Sequence, residues 1–224
     1  PTERQLWLEN RRLGIGGSDI AAIIGLSKWS TAYDIWLDKR GEAEVEDNET
    51  EYQYWGTVLE DVVAREYTRR SERKVQRVNG VLTHPEAGFA RANIDRAVVN
   101  PDISGVVRWK DGRLTTDRIL ECKTSNAFTA RLWGEAETDE VPDYYLVQVQ
   151  WYLGITGCEV GDLAVLIGGN DYRTFTIQRD DEIIADLLEE GRKFWQLVQS
   201  GVAPDPQTLD VAKRISSQHI PGNR

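Results

Sequence analysis

Between residues 74 and 124 the sequence falls into short β-branched runs, KVQRVNGVLTH, GFARANIDRAVV, GVVRWK and RILECKT, each bounded by Gly, Asn, Pro or Asp. Runs this short read as strands of a shared sheet, and the amphipathic stretches on either side read as the helices that cover it. The expectation is an α/β domain. Its 224 residues, 40% of them hydrophobic, suffice for one core. A single domain is expected over 1–203, with a loosely held tail over 204–224 where Pro204, Pro206 and Pro221 fall.

Helices are expected at 3–13, from Ser18 as N-cap to Gly25, at 31–40 ending before Gly41, and at 51–70 with Trp55, Leu59, Val62, Val63 and Tyr67 inward. Residues 126–138 read as helical, and Pro142 suits the first position of a further helix, where its missing amide costs nothing. DLAVLI and YRTFTIQ read as a hairpin turning at 168–171, followed by a long helix over 181–200.

Composition removes several function classes. Two cysteines, Cys122 and Cys158, and two histidines, His84 and His219, leave no basis for structural zinc or a histidine dyad. Gly14-Ile15-Gly16-Gly17-Ser18 follows no strand and lacks a third spaced glycine, which excludes a nucleotide loop. No run reaches the ~18 apolar residues of a membrane span, and the charged start is not signal-like, so a cytoplasmic protein is expected. A net charge of −10 argues against coating nucleic acid non-specifically, because such binding needs cations against phosphate. Charge is nevertheless uneven: 42–51 is an acidic run, whereas 65–77 holds six basic residues.

One constellation carries chemistry. In RILECKT, alternation puts Glu121 and Lys123 on one strand face, and Asp95 adds a second carboxylate if its run pairs with theirs. Two carboxylates suit magnesium, which keeps waters able to attack a phosphodiester, and a lysine steadies the charge that develops. Taken alone, Glu-x-Lys reads first as an edge-strand salt bridge, because charges on strands are ordinary surface features.

Five blocks in order change that balance: Arg12-Leu13-Gly14-Ile15-Gly16-Gly17-Ser18-Asp19-Ile20, Gly56-Thr57-Val58-Leu59-Glu60, Ala92-Asn93-Ile94-Asp95, Leu120-Glu121-Cys122-Lys123-Thr124 and Tyr145-Leu146-Val147-Gln148-Val149-Gln150. Together they resemble the lambda-exonuclease or YqaJ-type viral recombinases, within the nucleases of restriction-endonuclease-like fold. The resemblance implies a three-layer fold with a mixed central sheet flanked by helices. It implies that Asp95, Glu121 and the backbone carbonyl of Cys122 bind Mg2+, with Mn2+ able to substitute, and that Lys123 positions or activates the water. Glu60 would hold a second metal or its water, Gln148 and Tyr145 would lie over the scissile region, and Arg12 and Ser18 would grip a DNA-end phosphate. Two positions have rivals: Asp102, which follows a proline as the family aspartate often does, and Arg11, because the Arg12–Ser18 spacing is one short.

The implied activity is a 5′ to 3′ double-strand exonuclease that leaves 3′ single strands for phage-type recombination in a bacterial host. A homotrimer acting on duplex ends with a single-strand annealing protein is the implied assembly. The alternatives are a structure- or sequence-dependent endonuclease on the same fold, or a non-catalytic DNA-binding protein.

Overall fold

A computed structural model describes residues 3–44, 49–205 and 210–218. Helices α1 (Glu3–Arg11), α2 (Gly17–Ile23) and α3 (Ala32–Arg40) open the chain. The expected cap at Ser18 is corrected: Gly16 is the N-cap, and the Asp19 carboxylate reaches back to accept from its amide at 2.8 Å. Ser18 instead sits exposed in the first helical turn. Helix α3 ends as expected, with Gly41 in the left-handed conformation at φ 73°.

Helix α4 (Glu51–Ser71) starts from a reciprocal cap, Gln53 N to Thr50 Oγ1 at 3.2 Å and Thr50 N to Gln53 Oε1 at 2.9 Å. Its inward face is narrower than the periodicity implies. Val63, Ala64 and Tyr67 are buried, whereas Trp55 and Val62 are 51% and 49% exposed. The helix meets the sheet through that small face, and Tyr52, near its start, reaches the strand end by donating to the Thr124 carbonyl at 2.8 Å.

The strands are β1 (Val75–Gln76), β2 (Leu82–His84), β3 (Ala87–Ala92), β4 (Arg96–Val98), β5 (Trp109–Lys110), β6 (Arg113–Leu114), β7 (Arg118–Ser125), β8 (Val160–Ile167) and β9 (Asp171–Gln178). The central sheet has the order β1-β4-β7-β8-β9 and is mixed: β7 and β8 are parallel, and the other pairs are antiparallel. The parallel pair requires a crossover, which α5 (Asp143–Thr156) supplies. Pro142 is its N-cap, one position earlier than expected. One sheet face carries α4, and the other carries α5 with α2 and α6 (Asp181–Ser200) behind it, which gives three layers.

The run 88–99 does not form one strand. It breaks at 93–95, where the chain leaves the separate β2–β3 hairpin for the central sheet, and Asp95 stands at that joint. Of 126–138 only a short 3-10 helix forms, Ala127–Leu132. Beyond it the chain extends, and the amide of Glu137 donates to the Thr174 carbonyl at 2.7 Å while that of Thr176 donates to the Thr138 carbonyl at 3.1 Å. This segment thus pairs along part of the free side of β9. Within the expected tail, α7 (Asp210–Gln218) buries Ala212 and Ile215 and packs on α6. Pro206, Pro221 and His219 lie outside the described residues.

Buried Asp162 on β8 ties α4 to the sheet. It accepts from Tyr67 Oη at 2.5 Å, from Arg118 at 2.8 Å and from Thr176 at 2.9 Å. Its buried oxygens are thereby supplied with donors from α4, β7 and β9.

Candidate active site

Strand β7 is central, so both of its faces are covered and alternation sorts its side chains into two compartments. Leu120 and Cys122 pack towards α4, and Glu121 and Lys123 point the other way, beneath α5. Glu121 is fully buried, with Lys123 Nζ 3.6 Å from its Oε2. Antiparallel pairing of Arg96 with Leu120 sets Asp95 beside Glu121. Two reciprocal bonds fix them: Asp95 N donates to Glu121 Oε1 at 3.1 Å, and Cys122 N donates to Asp95 Oδ2 at 2.8 Å. Asp102 is placed elsewhere, exposed in a turn where its amide bonds Asn100 Oδ1 at 3.0 Å. The structure therefore brings Asp95, and not Asp102, to Glu121.

Burial raises the pKa of Asp95 above the usual carboxylate range, although Lys123 and the Cys122 amide oppose the shift. Glu121 is raised further, by burial and then by the charge of Asp95. Burial alone would lower Lys123, but Glu121 and Asp95 more than compensate and hold it protonated. One ammonium faces two carboxylates that resist ionising together, which is the electrostatic condition a divalent cation relieves. Two hard carboxylates with a nearby strand carbonyl fit magnesium, which needs few protein ligands. Among the described residues no group of three or more His, Cys, Asp or Glu side chains is placed to hold a metal.

Glu60 does not join the pair directly. It faces Arg96, which donates to Glu60 Oε1 at 2.6 Å, to Asp61 Oδ1 at 3.3 Å and to the Asp95 carbonyl at 2.7 Å. Arg96 is 3% exposed and bridges α4 to the joint that presents Asp95. Sequence reasoning missed it, although an arginine inside the apolar strand IDRAVV is itself a signal of a buried partner.

Helix α5 roofs the site. Tyr145 turns its ring to Lys123, whose Nζ is 5.1 Å from the ring centre, and Gln148 Nε2 donates to Tyr152 Oη at 3.2 Å. Tyr152, also missed, is pushed upward by burial and by Glu121, so its phenol stays neutral. Gly17 lets α2 approach this roof: a Cβ there would stand 2.7 Å from both Gln148 Cγ and Tyr152 Cε1.

Arg11 and Ser18 line the same two cavities beside this roof. Arg11 is held by Asp38 at 3.2 Å and Asp19 at 3.4 Å, with buried Lys39 2.8 Å from Asp19. The Arg12 guanidinium lies instead against Gly41. Arg11 is thus the arginine brought to Ser18, and Arg12 is not. His84 serves a turn, its Nδ1 accepting from Glu86 N at 3.1 Å.

The model of the YqaJ-like viral recombinase domain matches residues 6–159. The chain belongs to this family. The YqaJ protein of Bacillus subtilis (strain 168), itself uncharacterized, is 43% identical over 204 residues, covering 90% of this chain and 58% of that protein. The chain thus spans little more than half the length of this relative. An alkaline exonuclease from Laribacter hongkongensis matches with TM-score 0.65 at 18% identity, over 96% of this chain and 100% of that one. That exonuclease has also been solved in complex with dAMP. A phage-related exonuclease from Haemophilus somnus 129PT matches with TM-score 0.54 at 14% identity, over 87% and 99% respectively. This YqaJ-like chain therefore has the restriction-endonuclease-like fold of phage-type exonucleases, as its motif blocks imply.

Proposed function

We propose that this YqaJ-like domain is a magnesium-dependent deoxyribonuclease that hydrolyses duplex DNA from its ends. The observation that carries the reading is the buried Asp95–Glu121–Lys123 group, in which two carboxylates are short of positive charge. Asp95, Glu121 and the Cys122 carbonyl would hold the metal, which when bound would supply an activated water and polarise the phosphate. Lys123, kept protonated, steadies the charge that grows on the phosphate. Gln148 and neutral Tyr152 lend hydrogen bonds from the roof, and Arg11 with Ser18 receives a phosphate of the DNA end. Glu60, engaged by Arg96, is the outer carboxylate that would hold a second metal or its water.

The support for an end-dependent reaction is that the solved proteins reported above with this fold are exonucleases, one of them also seen with dAMP. The finer reading is 5′ to 3′ polarity, a 3′ single-stranded product, a homotrimer and a single-strand annealing partner. The test incubates the protein with magnesium, then manganese, on a linear 5′-phosphorylated duplex and on a covalently closed circle, beside Lys123→Ala. Loss of the linear duplex alone, absent in the variant, is expected. Nicking of the circle would replace the exonuclease by an endonuclease, and inertness with both metals would leave a DNA-binding protein.

A further inference from the structure

The loop over 26–30, between α2 and α3, presents a tryptophan that the reading above leaves unused. Ser27 Oγ accepts from Trp29 N at 3.2 Å and from Ser30 N at 3.3 Å, so the loop is fixed from within. Trp29 is nevertheless 66% exposed. Its ring meets Tyr144 edge-on at 4.9 Å, Tyr144 meets Tyr145 at 4.5 Å, and the Tyr145 ring faces Lys123. Lys28 Nζ stands 5.8 Å from the Tyr144 ring centre. Trp29, Tyr144 and Tyr145 line a cavity of about 130 Å³ together with Arg11, Ser18 and Gln148.

A tryptophan that only pinned this loop to α5 would bury its ring, whereas this one offers a face to a cavity shared with phosphate-binding and catalytic groups. Aromatic faces beside cations are how proteins hold unpaired nucleotides without reading sequence, since every base has a π-face. We propose that the exposed ring of Trp29, braced edge-on by Tyr144, is a stacking platform for the unpaired nucleobase at a DNA end, with its phosphate turned towards Arg11. This rests on the nuclease reading and names the side chain of that site that holds the base.

The test measures single-turnover cleavage of two duplexes whose terminal nucleotide is unpaired in both, one carrying a mismatched base and the other an abasic tetrahydrofuran. The modified nucleotide is placed on each strand end in turn, and wild type, Trp29→Ala and Trp29→Phe are compared. Loss of one stacked base predicts that wild type cuts the base-carrying end about tenfold faster. Trp29→Ala should cut both ends at the slower rate, and Trp29→Phe should recover most of the preference. Equal rates for wild type at both ends, or an undiminished preference in Trp29→Ala, would overturn the platform. Failure of wild type to cut either duplex would instead overturn the nuclease reading, and the platform with it.

Discussion

Arg96 offers the sharpest physical test of how the site is held. Arg96→Met keeps the apolar stem but removes contacts to Glu60, Asp61 and the Asp95 carbonyl, at 2.6, 3.3 and 2.7 Å. A hydrogen bond to a charged group is worth ~1.5–3 kcal/mol, and an orphaned buried carbonyl costs ~1–3 kcal/mol. Glu60 and Asp61 keep side-chain exposures of 29% and 40%, so water replaces much of what they lose. The net cost is therefore about 3 kcal/mol, well below a simple sum of the contacts. For a domain of this size that lowers Tm by roughly 6–12 °C. Urea denaturation and calorimetry of metal-free protein measure it. Because part of the cost is a stranded carboxylate, adding Glu60→Gln to the variant should recover some of it. A loss under ~1 kcal/mol, or no recovery in the double variant, would refute the claim that Arg96 clamps α4 to the Asp95 joint.

Asp95→Asn should abolish cleavage, whereas Asp102→Ala, exposed in its turn, should leave both cleavage and urea midpoint near wild type. For the metal-free protein, the raised pKa values of Asp95 and Glu121 mean that the folded state binds more protons than the unfolded chain. Their stabilising contribution is complete below the ordinary carboxylate range and is lost as pH rises towards the shifted values, so the Tm advantage of Glu121→Gln over wild type should widen with pH. Magnesium should raise the Tm of wild type and not of Glu121→Gln, as differential scanning fluorimetry would show. Gly17→Ala should destabilise by ~1–3 kcal/mol through overpacking against Gln148 and Tyr152 and should slow cleavage; an unchanged rate would remove Gln148 from the roof of the site.

Much of this architecture is legible from periodicity. RILECKT alternates because a strand must, and that alone places Glu121 beside Lys123 in the strand observed. The helix expected over 181–200 is observed as Asp181–Ser200, since a strong 3.6-residue pattern admits little else. The failures have a common origin in tertiary contacts. Trp55 and Val62 fit an inward stripe, yet α4 meets the sheet through Val63, Ala64 and Tyr67. The run 88–99 carries no turn signal at 93–95 strong enough to announce that the chain changes sheets there, which is what presents Asp95. Spacing left Arg11 and Arg12 as rivals, and only the fold shows which one the carboxylates of Asp19 and Asp38 draw towards Ser18.

The segment that pairs along β9 also bears on how copies of this chain can meet. At one margin of the sheet the chain's own Glu137 and Thr138 occupy part of the backbone hydrogen-bonding row, and at the other β1 is only two residues long. Among the described residues, neither margin of the central sheet offers a long run of unused backbone donors and acceptors to a neighbour. Extending the central sheet from one molecule to the next is then disfavoured, and an assembly of this domain is expected to rest on side chains fitting side chains. Loosening 135–140 would uncover that row, and the expected consequence is open-ended aggregation in place of a closed, countable oligomer.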